Sequence, residues 1–215
     1  MEVEHSVEHD KAMTYAIGDL HGEVTLLLRL LDVLPFRAED TLVFLGDYMD
    51  RGEDSIATIL ALRELRRTHP ACVFLRGNHD DEWLNDWDGA RFTGVPWIDG
   101  AQGVWDKCDG QIPFEVGFWL EETRIEYEDE YAYYTHAGAL PGEPFGKTPE
   151  FYKLWGDVRF LKSDYNWGKP VVFGHWQMKE PLVEPNKIGV DTGAYKSGIL
   201  TAVRLPDRQI FQVRR

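Results

Sequence analysis

Asp19 and His21 stand one residue apart in the run Gly18-Asp19-Leu20-His21-Gly22, so a turning backbone can aim both at one cation. Asp47, in Gly46-Asp47-Tyr48-Met49-Asp50-Arg51-Gly52, follows a second apolar run and can bridge two cations. Asn78, His136 and His175, each in a glycine-bearing turn, can complete the second site. These donors are carboxylate, amide and imidazole with no thiolate, a set that suits Mn, Fe or Zn better than the oxygen-loving Ca or Mg. Two ligand carboxylates against two dications leave a charge of about +2, which draws in an anion such as a phosphate ester. Ions roughly 3.5 to 4 Å apart can activate a water and stabilise the entering and leaving oxygens of an in-line displacement, so no protein nucleophile is needed.

His79 is then one imidazole more than the metals require. It can protonate the leaving group, with Asp50 as the carboxylate that favours its imidazolium form. Arg51 and Arg76 border the same turns, and their guanidinium forks match phosphate oxygens. Arg159, in Leu154-Trp155-Gly156-Asp157-Val158-Arg159-Phe160, is a third candidate clamp.

These side chains can meet only if the elements before them bring six turns together. Met13 to Ile17, Leu42 to Leu45 and Cys72 to Leu75 read as strands running into the first three turns. Tyr131 to Thr135, Val171 to Phe173 and Ile188 to Val190 run into His136, His175 and Asp191. Between the first strands, Val24, Leu27, Leu28, Leu31 and Leu34 predict one helical face stopped by Pro35. Ile56, Ile59, Leu60, Leu62 and Leu65 predict another, capped by Asp54 and closed by Pro70. The resulting βαβαβ unit demands parallel strands with right-handed crossovers, placing the three turns at the strands' carboxyl ends. Trp83 to Glu130 reads as short helices and connections, with a solvated acidic run from Glu121 to Glu130. Ile199 to Val203 and Ile210 to Val213 predict a hairpin around Pro206-Asp207.

A chain of 215 residues, 43% hydrophobic, suits one domain, assigned to residues 13–215 with a tail over 1–12. No apolar run approaches the roughly 20 residues of a membrane span, and the acidic start from Met1 to Lys11 is unlike a signal peptide. Cys72 and Cys108 have no metal or redox spacing, and a cytoplasmic monomer is expected. A net charge of −14 argues against nucleic-acid binding. Four of the seven histidines fall in the turns; His5 and His9 go to the tail and His69 to a helix end. Asp191 is given a structural role. Trp83, Trp87, Trp97, Trp105 and Trp119 read as packing residues, with a wall over the site as the other possibility for some. Trp176 either stacks on an adenine or fills space.

The ordered run GDLHG, GDYMDRG, RGNHD, HAG, GHW and VDTG resembles the PPP-type serine/threonine phosphoprotein phosphatases, compact bacterial type, within the calcineurin-like metallophosphoesterases. It covers residues 13 to 80 densely and the rest through separated anchors. The resemblance implies an α/β (α+β) fold of two packed mixed β-sheets flanked by helices. It implies Asp19, His21 and Asp47 on one metal, and Asp47, Asn78, His136 and His175 on the other. His79 with Asp50 would form the acid pair, and Arg51, Arg76 and Arg159 would bind phosphate. Mn is the first choice of metal. Phosphoserine or phosphothreonine in a protein or peptide is the expected substrate. The GHW form is instead similar to symmetrical diadenosine tetraphosphatases, which makes dinucleoside polyphosphate hydrolysis the alternative. A phosphate-binding module without turnover is disfavoured, because binding alone has no use for His79 and Asp50.

Overall fold

The computed structural model describes residues 11–215, so His5, His9 and nearly all of the expected tail lie outside the described residues. The chain runs β1 (Thr14–Ile17), α1 (Val24–Val33), β2 (Thr41–Phe44), α2 (Ser55–Thr68), β3 (Cys72–Phe74), α3 (Asn78–Asn85), α4 (Ala101–Lys107), α5 (Phe114–Glu121), β4 (Glu126–Glu128) and β5 (Tyr133–Thr135). It continues through α6 (Glu150–Trp155), α7 (Val158–Lys162), β6 (Val171–Phe173), β7 (Leu182–Val183), β8 (Lys187–Gly189), α8 (Ala194–Ser197), β9 (Ile199–Leu205) and β10 (Gln209–Arg214). One sheet has the order β10-β9-β1-β2-β3 and the other β4-β5-β6-β8-β7. The first three strands are parallel, as are β5, β6 and β8, while the hairpin β9-β10 and the outer strands β4 and β7 pair antiparallel.

Alternation along each strand sorts side chains between layers, because successive residues point to opposite faces. Ala16, Val43, Leu45 and Leu75 of the first sheet meet Tyr134, Val172, Ile188 and Val190 of the second between the sheets. Tyr15, Ile17, Leu42 and Phe44 face the other way, into the core under α1 to α5. Tyr133, Val171 and Phe173 form the third layer with Phe160. Full burial of each large apolar side chain contributes about 1.5 to 3 kcal/mol, so the layers hold the strand ends in fixed relation.

The helices differ from the sequence pattern in their rotation. In α1 the buried residues are Leu26, Leu27 and Leu30, while Leu28 is half exposed. In α2 the buried face is Ser55, Thr58, Ile59 and Leu62, with Leu60 outward. Both stripes are broad, and packing against strands picks the face. The Asp54 cap holds as read, its carboxylate accepting the Ala57 amide at 2.8 Å. His69 is buried at the end of α2, with Nε2 2.8 Å from the Asp40 carbonyl oxygen, so it packs inward instead of sitting on an exposed helix end. The acidic run contains a strand, β4, which pairs antiparallel with β5, and its Glu126 meets the buried Lys153 ammonium.

Candidate metal centre

Six turns converge because the carboxyl ends of β1, β2 and β3 face those of β5, β6 and β8 across the packed sheets. The turns are tight, and several non-glycine residues in them have left-handed backbones: His21 (φ 42°), Asp47 (52°), Asp50 (73°), Arg51 (69°) and His175 (59°). Aspartate and histidine tolerate this region better than most residues. The surrounding packing must hold them there, at a cost of about 1 to 3 kcal/mol each. Two glycines are required for room. A Cβ on Gly77 would lie 2.0 Å from Asp47 Oδ1, and one on Gly174 would lie 2.0 Å from Asp19 Oδ1.

Asp47 sits at the middle. Its Oδ2 is 3.3 Å from His21 Nε2 and its Oδ1 is 3.5 Å from His136 Nε2. One donor group joins His21, Asp47 and His79, and another joins Asp47, His136 and His175, with the donor atoms of each group within 4.8 Å of one another. The shared carboxylate is what a bridging ligand between two ions would be. Asn78 Oδ1 lies 3.1 Å from His136 Nε2 and 3.0 Å from His175 Nδ1, which places the amide oxygen in the second group. His21 and His136 each put Nδ1 2.8 Å from a backbone carbonyl oxygen, of Met49 and Leu45 respectively. A carbonyl can only accept, so Nδ1 carries the proton in both rings, and the Nε2 lone pair points at the cluster as metal-binding histidines require.

Electrostatics agree with this geometry. Burial pushes the Asp47 carboxyl up, but the rings of His136, His79 and His21 outweigh it and hold the group well below the usual range. Burial, then repulsion from Asp191 and Asp47, drives Asp19 well above it. Burial raises Asp191 to about 6. Burial, and then His136, lowers His175 to about 4, so that ring is neutral and ready to bind a cation at pH 7. Burial lowers His21, but the hydrogen bond and charge of Asp47 outweigh it and raise the ring. Buried carboxylates crowded against imidazoles form a donor set that divalent cations satisfy, and Asp191 Oδ2 is buried with no hydrogen-bond partner among the described residues. The residues therefore fit divalent metal ions. Asp19 is buried beside the cluster but stands outside the two tight donor groups, its oxygens taking the His175 amide at 3.1 and 3.0 Å.

His79 Nδ1 is 2.7 Å from Asp50 Oδ2, and the other Asp50 oxygen accepts the Trp83 indole N–H at 2.9 Å. Nδ1 thus donates to a fixed carboxylate and Nε2 is left towards the cluster, an arrangement that serves proton transfer and also accounts for His79 lying within ligand reach. Arg51 reaches the same space, with Nη1 2.9 Å from His21 Nε2, Nε 3.1 Å from Asp99 and its guanidinium carbon 5.0 Å from the centre of the Tyr195 ring.

The other two arginines are placed differently. Arg76 donates from Nε to Thr123 Oγ1 at 3.1 Å and pairs with Asp81 at 3.3 Å, so its fork is occupied in tying α3 to the end of α5. A phosphate contact would need the fork to leave these partners; Arg76 precedes α3, whereas Asn78 opens that helix and reaches the cluster. Arg159 is two-thirds exposed and paired with Asp157, the cap of α7, with none of its hydrogen bonds reaching the histidines.

Three further residues complete the site. Asp80 Oδ2 accepts the amides of Asp47 and Gly77, and Oδ1 that of Tyr48, bracing the second turn against the third. Trp83 lies one helical turn after His79 on α3, a spacing that does signal a shared face. Tyr195 packs edge-on against His21 at 5.3 Å, with no local motif to mark it. Trp176 fills space: its indole N–H donates to the Ala137 carbonyl at 2.9 Å and its ring covers Gly156.

The family model described as calcineurin-like phosphoesterase matches residues 13–189. A symmetrical bis(5'-nucleosyl)-tetraphosphatase of Dechloromonas aromatica is 31% identical, with 93% of this chain and 95% of that protein covered. The asymmetrical bis(5'-nucleosyl)-tetraphosphatase PrpE of Anoxybacillus flavithermus is 28% identical, with 92% of each covered. Among solved structures, one described as a candidate diadenosine tetraphosphatase superposes with a TM-score of 0.77 at 21% identity, covering 96% of this chain and 95% of that one.

Proposed function

Because the chain belongs to the calcineurin-like phosphoesterase family and is a metal-dependent phosphoester hydrolase, we propose that its substrates are dinucleoside polyphosphates such as diadenosine tetraphosphate. The observation that carries this reading is the end-to-end match with tetraphosphatases of both cleavage types, which covers nearly all of this chain and of each relative. It replaces the phosphoprotein reading drawn from the GDYMDRG and RGNHD motifs, since those motifs describe the reaction centre and not what is attached to the phosphate.

In this reading Asp19, His21 and Asp47 hold one divalent ion, and Asp47, Asn78, His136 and His175 hold the other. Bound there, the ions supply the positive charge that activates water and stabilises the phosphoryl oxygens. Arg51 orients the phosphate by donating from its guanidinium. The new P–O bond forms from water as the bond to the bridging phosphate oxygen breaks; Asp50 holds the His79 ring with Nε2 towards that departing oxygen, where it protonates leaving groups basic enough to need a proton. Arg159 is left as an outer contact for a long phosphate chain.

The test is a comparison of turnover on diadenosine tetraphosphate and on a phosphopeptide, with Mn, Fe or Zn supplied and with a chelator control. We expect metal-dependent cleavage of the dinucleotide to dominate. Two nucleoside diphosphates would mark symmetrical attack, and a triphosphate with a monophosphate would mark asymmetrical attack. Turnover of the phosphopeptide without the dinucleotide would overturn the reading.

A further inference from the structure

The eight tryptophans divide sharply by burial, and one of them has no packing role. Trp83 and Trp119 are buried, Trp87 and Trp105 pack against the main core, and Trp176 is pinned by Ala137. Trp97 is 102% exposed. An indole left wholly in water forgoes the burial that makes this residue worth having. The segment that carries it is nonetheless anchored on both sides. Pro96 is buried, Val95 and Ile98 pack on the core, and the Ile98 amide donates to the Pro96 carbonyl at 2.9 Å.

The same segment is tied to the metal centre. Asp99, two residues on, accepts from Arg51 Nε at 3.1 Å, and Arg51 Nη1 lies 2.9 Å from His21 Nε2. Gly100 is pressed so closely on Arg51 that a Cβ would lie 2.6 Å from its amide nitrogen. Two residues of extended chain reach at most about 7 Å, so Trp97 lies within that backbone reach of Asp99, the carboxylate that holds the Arg51 guanidinium. Beside it, Val95, Pro96, Ile98, Asp99 and Gln102 line a shallow depression of about 470 Å³. Among the described residues no basic one lines it, so its chemistry suits an uncharged flat ring, with Asp99 able to accept from sugar hydroxyls or a base amino group.

We propose that Trp97 is a nucleobase platform: one base of the dinucleotide stacks on the indole while the neighbouring phosphate is held by Arg51. This rests on the nucleotide reading above, and it assigns base recognition to Trp97 instead of Trp176. Stacking of this kind is sequence-tolerant, so purine and pyrimidine dinucleotides should both bind, purines more tightly through their larger ring.

The experiment compares the parent with Trp97→Ala and Trp97→Phe. For each protein kcat/KM is measured on diadenosine tetraphosphate and on glycerol 2-phosphate, which has no ring. Inhibition of glycerol 2-phosphate hydrolysis by ADP and by pyrophosphate is measured alongside, with free metal held constant. Trp97→Ala should lower the preference for the dinucleotide over glycerol 2-phosphate about tenfold, mostly through KM, and reduce the advantage of ADP over pyrophosphate by a similar factor. Trp97→Phe should restore most of both. Equal losses on both substrates, an unchanged preference, or a change only in oligomeric state would overturn the platform. If the parent cleaves no dinucleotide yet ADP outcompetes pyrophosphate through Trp97, the platform stands and the substrate reading falls. If ADP has no advantage in the parent, the platform falls whatever the substrate.

Discussion

The two sheets each present three parallel strand ends to the metal centre, yet they contribute different chemistry. The first delivers Asp19, His21, Asp47, Asp50, Arg51, Asn78 and His79 from one continuous βαβαβ unit. The carboxylate proposed to bridge, the proposed proton donor and the proposed phosphate-binding arginine therefore all ride on one rigid body. The second delivers His136 and His175, rings whose basicity burial lowers, from strands separated by the irregular stretch holding α6 and α7. In the proposed mechanism the first sheet carries the charge and the proton, and the second closes the site with rings of lowered basicity. Asp47 joins the two, since its oxygens face His21 on one side and His136 on the other.

The largest effect should come from that junction. Asp47→Asn should release both ions together and leave no turnover above the metal-free background, whereas His136→Asn should weaken only one. Metal titration by calorimetry with activity measured in parallel checks this, and retention of one tight ion in Asp47→Asn would break the idea that one carboxylate couples the sheets. Next, His79→Asn should keep both ions and lower kcat on alkyl phosphates by about 10² to 10⁴. Its effect on a dinucleotide should be much smaller, because a nucleoside phosphate leaves with little need of a proton. Equal losses on both substrates would move His79 from proton donor to ligand.

The smallest effect concerns the second sheet's acidic member. Asp191 is raised to about 6 in the fold against an unfolded value near 4, so the folded state holds its proton more tightly. Its contribution is fully present below about pH 4 and is lost as pH rises through 6. Asp191→Asn should therefore stabilise the chelator-treated protein at pH 7 by about 1 to 3 kcal/mol and change little at pH 4. With ions bound the gain should vanish, because the cations repay the buried charge. Thermal melts of both proteins at the two pH values, with and without metal, read this out; a gain that persists with metal would sever Asp191 from the centre.

Much of the site was legible in the chain because each turn is local. An apolar run followed by glycine and a metal-binding residue encodes strand, turn and ligand within about six positions, and Asp54 before Ser55 marked the start of α2. The three parallel strands of the first half followed from their spacing. Less was legible where a broad apolar stripe let packing choose the buried face, as with Leu28 and Leu60, or where pairing with a distant strand made part of an acidic run into β4.

The sequence by itself therefore determined which side chains could ligate and where the backbone must turn, because these depend on neighbours a few residues away. Only the tertiary structure decided where a long side chain spends its reach. It sent the Arg76 fork to Thr123 and Asp81, folded Trp176 over Gly156, set Tyr195 against Arg51 and His21, and left Trp97 in water beside Asp99. Arginine and tryptophan can reach several partners from one backbone position, so their roles are fixed by which partners the packed sheets bring near.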